Sequence, residues 1–73
     1  MTLEKGKLYR FKKLVFVYDI NDKQYSFEEN TTFLVLSTED VISYEKIQFL
    51  IGDKDYYHYI KKDLINSIYE LIS

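Results

Sequence analysis

The chain alternates. In most of its short segments a large apolar side chain recurs at every second residue, a spacing that only an extended backbone turns into two separate faces. Tyr9 and Phe11 alternate with Leu8, Arg10 and Lys12. Phe16, Tyr18 and Ile20 fall opposite Val15 and Val17, and Tyr25 and Phe27 resume the pattern. Ile47, Phe49 and Ile51 alternate with Gln48 and Leu50. Phe33–Leu36 is a continuous apolar run, as expected of a strand buried on both faces. Turn-forming residues separate these runs: Gly6, Asn21-Asp22-Lys23, Glu28-Glu29-Asn30, Glu39-Asp40 and Gly52-Asp53-Lys54-Asp55. Short strands between frequent turns predict a mainly β domain, a barrel or sandwich, over residues 1–73.

Such a domain must be held by its aromatic and β-branched side chains. Seventy-three residues lie near the lower limit for a self-sufficient core. There is no Cys, so neither a disulfide nor a thiolate metal site can reinforce it, and one His cannot form a histidine metal site alone. Eight Tyr and five Phe bury much area per residue. There is no Ala, which removes the best helix former.

The last segment admits two readings. Leu64, Ile65, Ile68, Leu71 and Ile72 fit one helix, with Asp63 as a candidate N-cap. A helical turn at 63–66 followed by a strand at 67–72 fits as well and is the preferred reading, since period alone does not settle short apolar runs.

The element order then carries a resemblance. A Gly-led first strand, GKLYRFKK, precedes a long polar excursion, DINDKQYSFEEN. Three strands follow (TTFLVLS, YEKIQFLIG, DYYHYIKK), then a short turn KDLIN and a final strand SIYELI. This order resembles the small SH3-like barrel proteins common in phage genomes. The resemblance implies five strands, with the excursion as the long first loop and KDLIN as the helical turn before the last strand. The Trp and Pro of the peptide groove in eukaryotic signalling SH3 domains are absent. Proline-rich ligands are therefore not implied.

Charge is unevenly placed. The net charge is −2, but residues 1–13 hold Lys5, Lys7, Arg10, Lys12 and Lys13 against Glu4. Residues 14–45 hold seven carboxylates against Lys23. Lys7, Arg10, Lys12 and Lys13, interleaved with Tyr9 and Phe11, are the candidates for nucleic-acid contact, because basic groups follow phosphates while aromatics stack bases. The competing reading puts Tyr9 and Phe11 in the core and leaves the bases as ordinary surface charges. The overall acidity argues against strong nucleic-acid binding.

No catalytic constellation stands out. His58 lies in YYHYI, where alternation sets it with Tyr56 and Ile60, and a packing role is the simpler reading. Asp53 and Asp55 flank Lys54 in a turn and lack the spaced oxygen ligands of a calcium loop. Gly6 and Gly52 are too far apart for a phosphate loop. The expectation is no enzyme and no cofactor.

Protein contact is the leading expectation. Alternation sends at least one of Tyr56, Tyr57 and Tyr59 to the outer face, and Tyr is favoured at interfaces. Tyr56, Tyr57, Tyr59 and His58 are the candidate residues. The expected partner is a host protein or a second copy of the chain, joined in the latter case through edge strands. Low Ala, Pro and Arg with abundant Lys, Ile and Tyr match an AT-rich coding sequence, of a bacterium or its phage. The sequence has no apolar stretch of the kind that heads a signal peptide or spans a membrane, so a cytoplasmic location without membrane contact is expected.

Overall fold

The computed structural model describes residues 3–72. Its strands are β1 (Leu8–Phe11), β2 (Val15–Asp19), β3 (Gln24–Phe27), β4 (Thr32–Val41), β5 (Tyr44–Ile51), β6 (Lys54–Lys61) and β7 (Tyr69–Leu71). A 3-10 turn at Lys62–Leu64 and the one-turn helix α1 (Ile65–Ile68) lie between β6 and β7. All pairings are antiparallel, and one curled sheet in the order β3-β2-β6-β5-β4-β1-β7 forms a half-barrel.

Seven strands form where the element order implied five. The additional ones are β2, in the alternating stretch just before the excursion, and β3, inside the excursion read as a loop. Asp19 begins its turn: its carboxylate accepts the N–H groups of Asn21 and Lys23 at 2.9 Å each. Asp22 takes a positive φ of 63°, which Asp tolerates better than most residues. The chain thus reverses tightly, and Tyr25 and Phe27 return opposite Val17 and Val15.

The sheet curls at β4. Its first residues, Thr32–Leu34, pair with β1, and Leu34–Val41 pair with β5. Between Val35 and Ser37 the register shifts, leaving Leu36 as an extra residue, and a bulge of this kind bends the strand and increases its twist. One face of the curl is filled by Tyr9, Phe11, Val17, Phe33, Val35, Ile47 and Phe49, all fully buried. Phe33 and Val35 point inward while Leu34 and Leu36 are half-buried, so the apolar run lies in a strand with one buried face, not two.

Two boundaries also differ. Glu39-Asp40, expected as a loop, continues β4 opposite Lys46 and Glu45. The turn falls instead on Ile42-Ser43, and an ion pair from Lys62 to Asp40 holds the base of this hairpin. In the final segment the turn-then-strand reading holds, with the strand shortened to Tyr69–Leu71. The residue flanking the 3-10 turn is Lys61, with no side-chain cap, so Asp63 caps nothing.

Ile42 is strained. It takes φ 54° at the first position of a two-residue turn, where Gly is usual, and is 90% exposed. A β-branched residue in that region costs about 1–2 kcal/mol. Ile42→Gly is therefore expected to stabilise the fold by about 1 kcal/mol, read as a higher urea midpoint; a lower midpoint would contradict the strain.

Candidate functional site

The outer face of β2, β6 and β5 carries an aromatic ladder. Its cause is the register. Val15 and Val17 fill the inner face of β2, so Phe16 and Tyr18 must stand outside. Tyr18 lies directly opposite Tyr57 of β6, and their rings stack with centroids 5.7 Å apart. Tyr57 meets Tyr59 edge to face at 5.8 Å. From β5, the Lys46 ammonium lies 5.1 Å from the Tyr57 ring centroid and 5.8 Å from that of Tyr59. Both distances suit cation–π attraction.

Much of this ladder meets solvent. Phe16 is 55% exposed, Tyr59 49% and the adjoining Ile20 73%. Tyr57 is half-buried, and its hydroxyl donates to the Asp22 carboxylate in the β2–β3 turn. That hydrogen bond, with some desolvation, pushes the Tyr57 phenol up to about 12. Asp22→Asn is expected to return the phenol toward its ordinary value, seen as loss of a late step in phenolate absorbance during alkaline titration. Ile20, Asp22, Lys46, Gln48, Tyr57 and Tyr59 surround a hollow of about 310 Å³.

The residues expected to bind protein separate into two groups. Tyr57 and Tyr59 belong to the ladder. Tyr56 turns inward and is buried against Phe27 and Phe49, so it contributes to the core. His58 also faces inward, half-buried, with Nδ1 2.5 Å from the Tyr69 hydroxyl. Burial lowers the His58 imidazole to about 4. The ring is thus neutral near neutral pH, and the Tyr69 O–H donates to Nδ1. Glu45 is 3% exposed on the same inner side, with Oε1 buried and unpartnered. Its charge adds to burial in raising the Tyr69 phenol.

The basic candidates are spread over β1 and its ends. Arg10 forms an ion pair with Glu70 at 2.6 Å, and Lys12 Nζ donates to the Asn66 carbonyl at 2.9 Å. Lys7 and Lys13 are exposed. Tyr9 and Phe11 are in the core, so no aromatic face interleaves with these bases.

Sequence reasoning did not single out Phe16, Tyr18, Lys46 or Asp22. Period two groups Phe16 with Tyr18 but does not say which face of β2 is outside. The pairing of Tyr18 with Tyr57, and of Lys46 with Tyr59, arises only from long-range register.

Among the described residues no group of three or more His, Cys, Asp or Glu could hold a metal ion, and no helix is long and apolar enough to cross a membrane. No protein-family model matches the chain, and no curated protein or solved structure is significantly similar to it.

Proposed function

We propose that the chain is a non-enzymatic protein-interaction module that binds its partner with the outer aromatic ladder. The observation that carries this reading is the set Tyr18, Tyr57 and Tyr59, held ring to ring at the surface with Lys46 laid over two of the rings and the exposed Phe16 on the same face. Aromatic side chains fixed before binding lose little entropy when they bind, and they dominate interface energetics. The surrounding acids, Asp22 and Glu39, and the net charge of −2 make the ladder a better platform for protein than for a phosphate backbone.

The small SH3-like barrel is the architecture this function rests on. A first strand beside the last, a long excursion, a three-strand meander and a helical turn before β7 support it, with the excursion drawn out into the β2–β3 hairpin. The source we infer is a phage or an AT-rich bacterium, with a host protein in the cytoplasm as the partner. Interference with host defence is one form of that role.

The test is a pull-down from bacterial lysate with and without nuclease. A stoichiometric protein that survives nuclease is expected. Tyr59→Ala should weaken its binding by about 2 kcal/mol, roughly 30-fold, with the urea midpoint nearly unchanged. Unaltered binding in both Tyr57→Ala and Tyr59→Ala sinks the reading. Recovery of nucleic acid, with affinity falling steeply with salt, transfers the function to Lys7, Arg10, Lys12 and Lys13.

A further inference from the structure

Two strands end the sheet, β3 and β7. Strand β7 is three residues long, and its Glu70 is tied to Arg10. Strand β3 is less protected. Among the described residues no strand pairs with its outer side. Its residues Gln24, Tyr25, Ser26 and Phe27 include no charge and no Pro, and its register with β2 has no bulge. It is four residues long, and charge, Pro and a bulge, three of the usual devices against edge pairing, are missing from it.

The free backbone groups can be assigned. The Asp19 N–H donates to the Lys23 carbonyl at 3.0 Å across the hairpin. Antiparallel bonding alternates from residue to residue, so Tyr25 and Phe27 bond to β2. The N–H and C=O groups of Gln24 and Ser26 therefore point away from the sheet.

Charge decides what kind of strand fits there. Residues 19–29 hold Asp19, Asp22, Glu28 and Glu29 against Lys23 alone. On the inner side, Tyr25 borders a cleft of about 560 Å³ in which Asp19, Asp53 and Asp55 stand against Lys23 and Lys54. A second copy fits poorly. Antiparallel self-pairing centred on Tyr25 sets Asp22 of one chain against Glu28 of the other, and it brings together two segments that each carry four carboxylates against one Lys. Like charges directly opposite destabilise a strand pair.

We propose that the open edge of β3 accepts an extended, Lys- or Arg-bearing segment of a partner protein as an added strand, bonded to the backbone of Gln24 and Ser26. One basic side chain of that segment reaches into the cleft of Asp19, Asp53 and Asp55. Main-chain bonds at the edge supply affinity, and alternate side chains supply specificity. The inference rests on the protein-binding reading and gives the partner its chemistry. Phe16 and Tyr18 lie one strand away on the outer face, so the bound segment runs beside the ladder.

The test is a titration of the isotope-labelled full chain with a short capped peptide alternating Arg and Val, beside a matched Glu and Val peptide. The Arg peptide is expected to shift the amides of β3 and to slow hydrogen exchange at Gln24 and Ser26; the Glu peptide is not. Ser26→Pro removes an outward N–H at an edge position that tolerates Pro, and should weaken binding about tenfold or more. The Asp53→Asn, Asp55→Asn double variant leaves the strand intact and should weaken it too. It keeps the test decisive if Ser26→Pro fails to fold. No response at β3, equal response to the two peptides, or unchanged binding in the double variant overturns the proposal. Protection of Gln24 and Ser26 that grows with protein concentration alone assigns the edge to a second copy and overturns it as well. Loss of lysate capture in Tyr59→Ala alongside a silent β3 leaves the ladder reading standing without strand addition. A responsive β3 with capture unaltered in the tyrosine variants does the reverse.

Discussion

Phe11→Ala is expected to leave most of the chain unfolded at ambient temperature. The Phe11 side chain is fully buried at the centre of the curl. Its ring centroid lies 4.5 Å from that of Phe33, 5.8 Å from those of Phe49 and Tyr69, and 6.4 Å from that of Phe27. Those rings belong to β4, β5, β7 and β3, so one side chain joins both ends of the sheet. Removing a buried Phe side chain costs about 3–5 kcal/mol. A single core in a chain of 73 residues supplies about 3–5 kcal/mol in all, and here no disulfide adds to it. Phe11→Leu keeps most of the volume and should cost about 1–2 kcal/mol. Phe16→Ala, on the exposed ladder, should stay within about 0.5 kcal/mol of the parent. Urea unfolding followed by circular dichroism separates the three. Equal midpoints for Phe11→Ala and Phe16→Ala would show that the aromatic centre is not where the stability lies.

That contrast marks what was legible in the sequence. Period two set Tyr9 with Phe11, and Ile47 with Phe49, on one face of their strands, because alternation is fixed by the strand itself, and both faces are core. Turn residues placed the reversals at Asn21-Asp22-Lys23 and Gly52, where an Asx interaction or a positive φ has a chemical signature. The reversal at Ile42-Ser43 carries no such signature. Ile is a poor residue for it, so the signal pointed to the more polar Glu39-Asp40, which in fact extends β4. Whether Phe16 and Tyr18 or Val15 and Val17 face the core was undetermined, since both pairs are apolar. Long-range register decides it: Tyr18 opposite Tyr57 places both rings on the face away from Tyr56. The same limit applies to the ladder as a site. Tyr57 and Tyr59 could be named as one cluster, but Lys46, Tyr18 and Asp22 join them only through the pairing of β5, β6 and β2.

The inward-facing polar group makes stability depend on pH in a window set by His58. Its folded-state value is lowered by burial from 6.5 to about 4. Between those values the unfolded chain binds a proton that the folded chain refuses. More protons on the unfolded state means that stability rises with pH, so the contribution is complete above 6.5 and is lost progressively toward 4. From about pH 7.5 to about pH 5 the expected loss is about 2 kcal/mol. The Asp19 carboxyl, held below its ordinary 3.8 chiefly by the Lys23 N–H, loses its contribution only as pH falls past that value, outside this window. The local geometry agrees with the sign. Nδ1 accepts the Tyr69 hydroxyl, so a proton on Nδ1 would force that hydroxyl to turn and accept instead, and would place a charge in a half-buried site beside Ile47 and Ile60. Glu45 lies on the same inner face, and its unpartnered Oε1 does not lie within hydrogen-bonding distance of the His58 ring. His58→Gln keeps an acceptor for Tyr69 and has nothing to titrate. Its urea midpoint should be nearly level between about pH 7.5 and about pH 5, while that of the parent falls. An equal fall in both proteins would move the pH dependence from His58 to the carboxylates, and would mean that the imidazole is solvated enough in the folded state to accept its proton there.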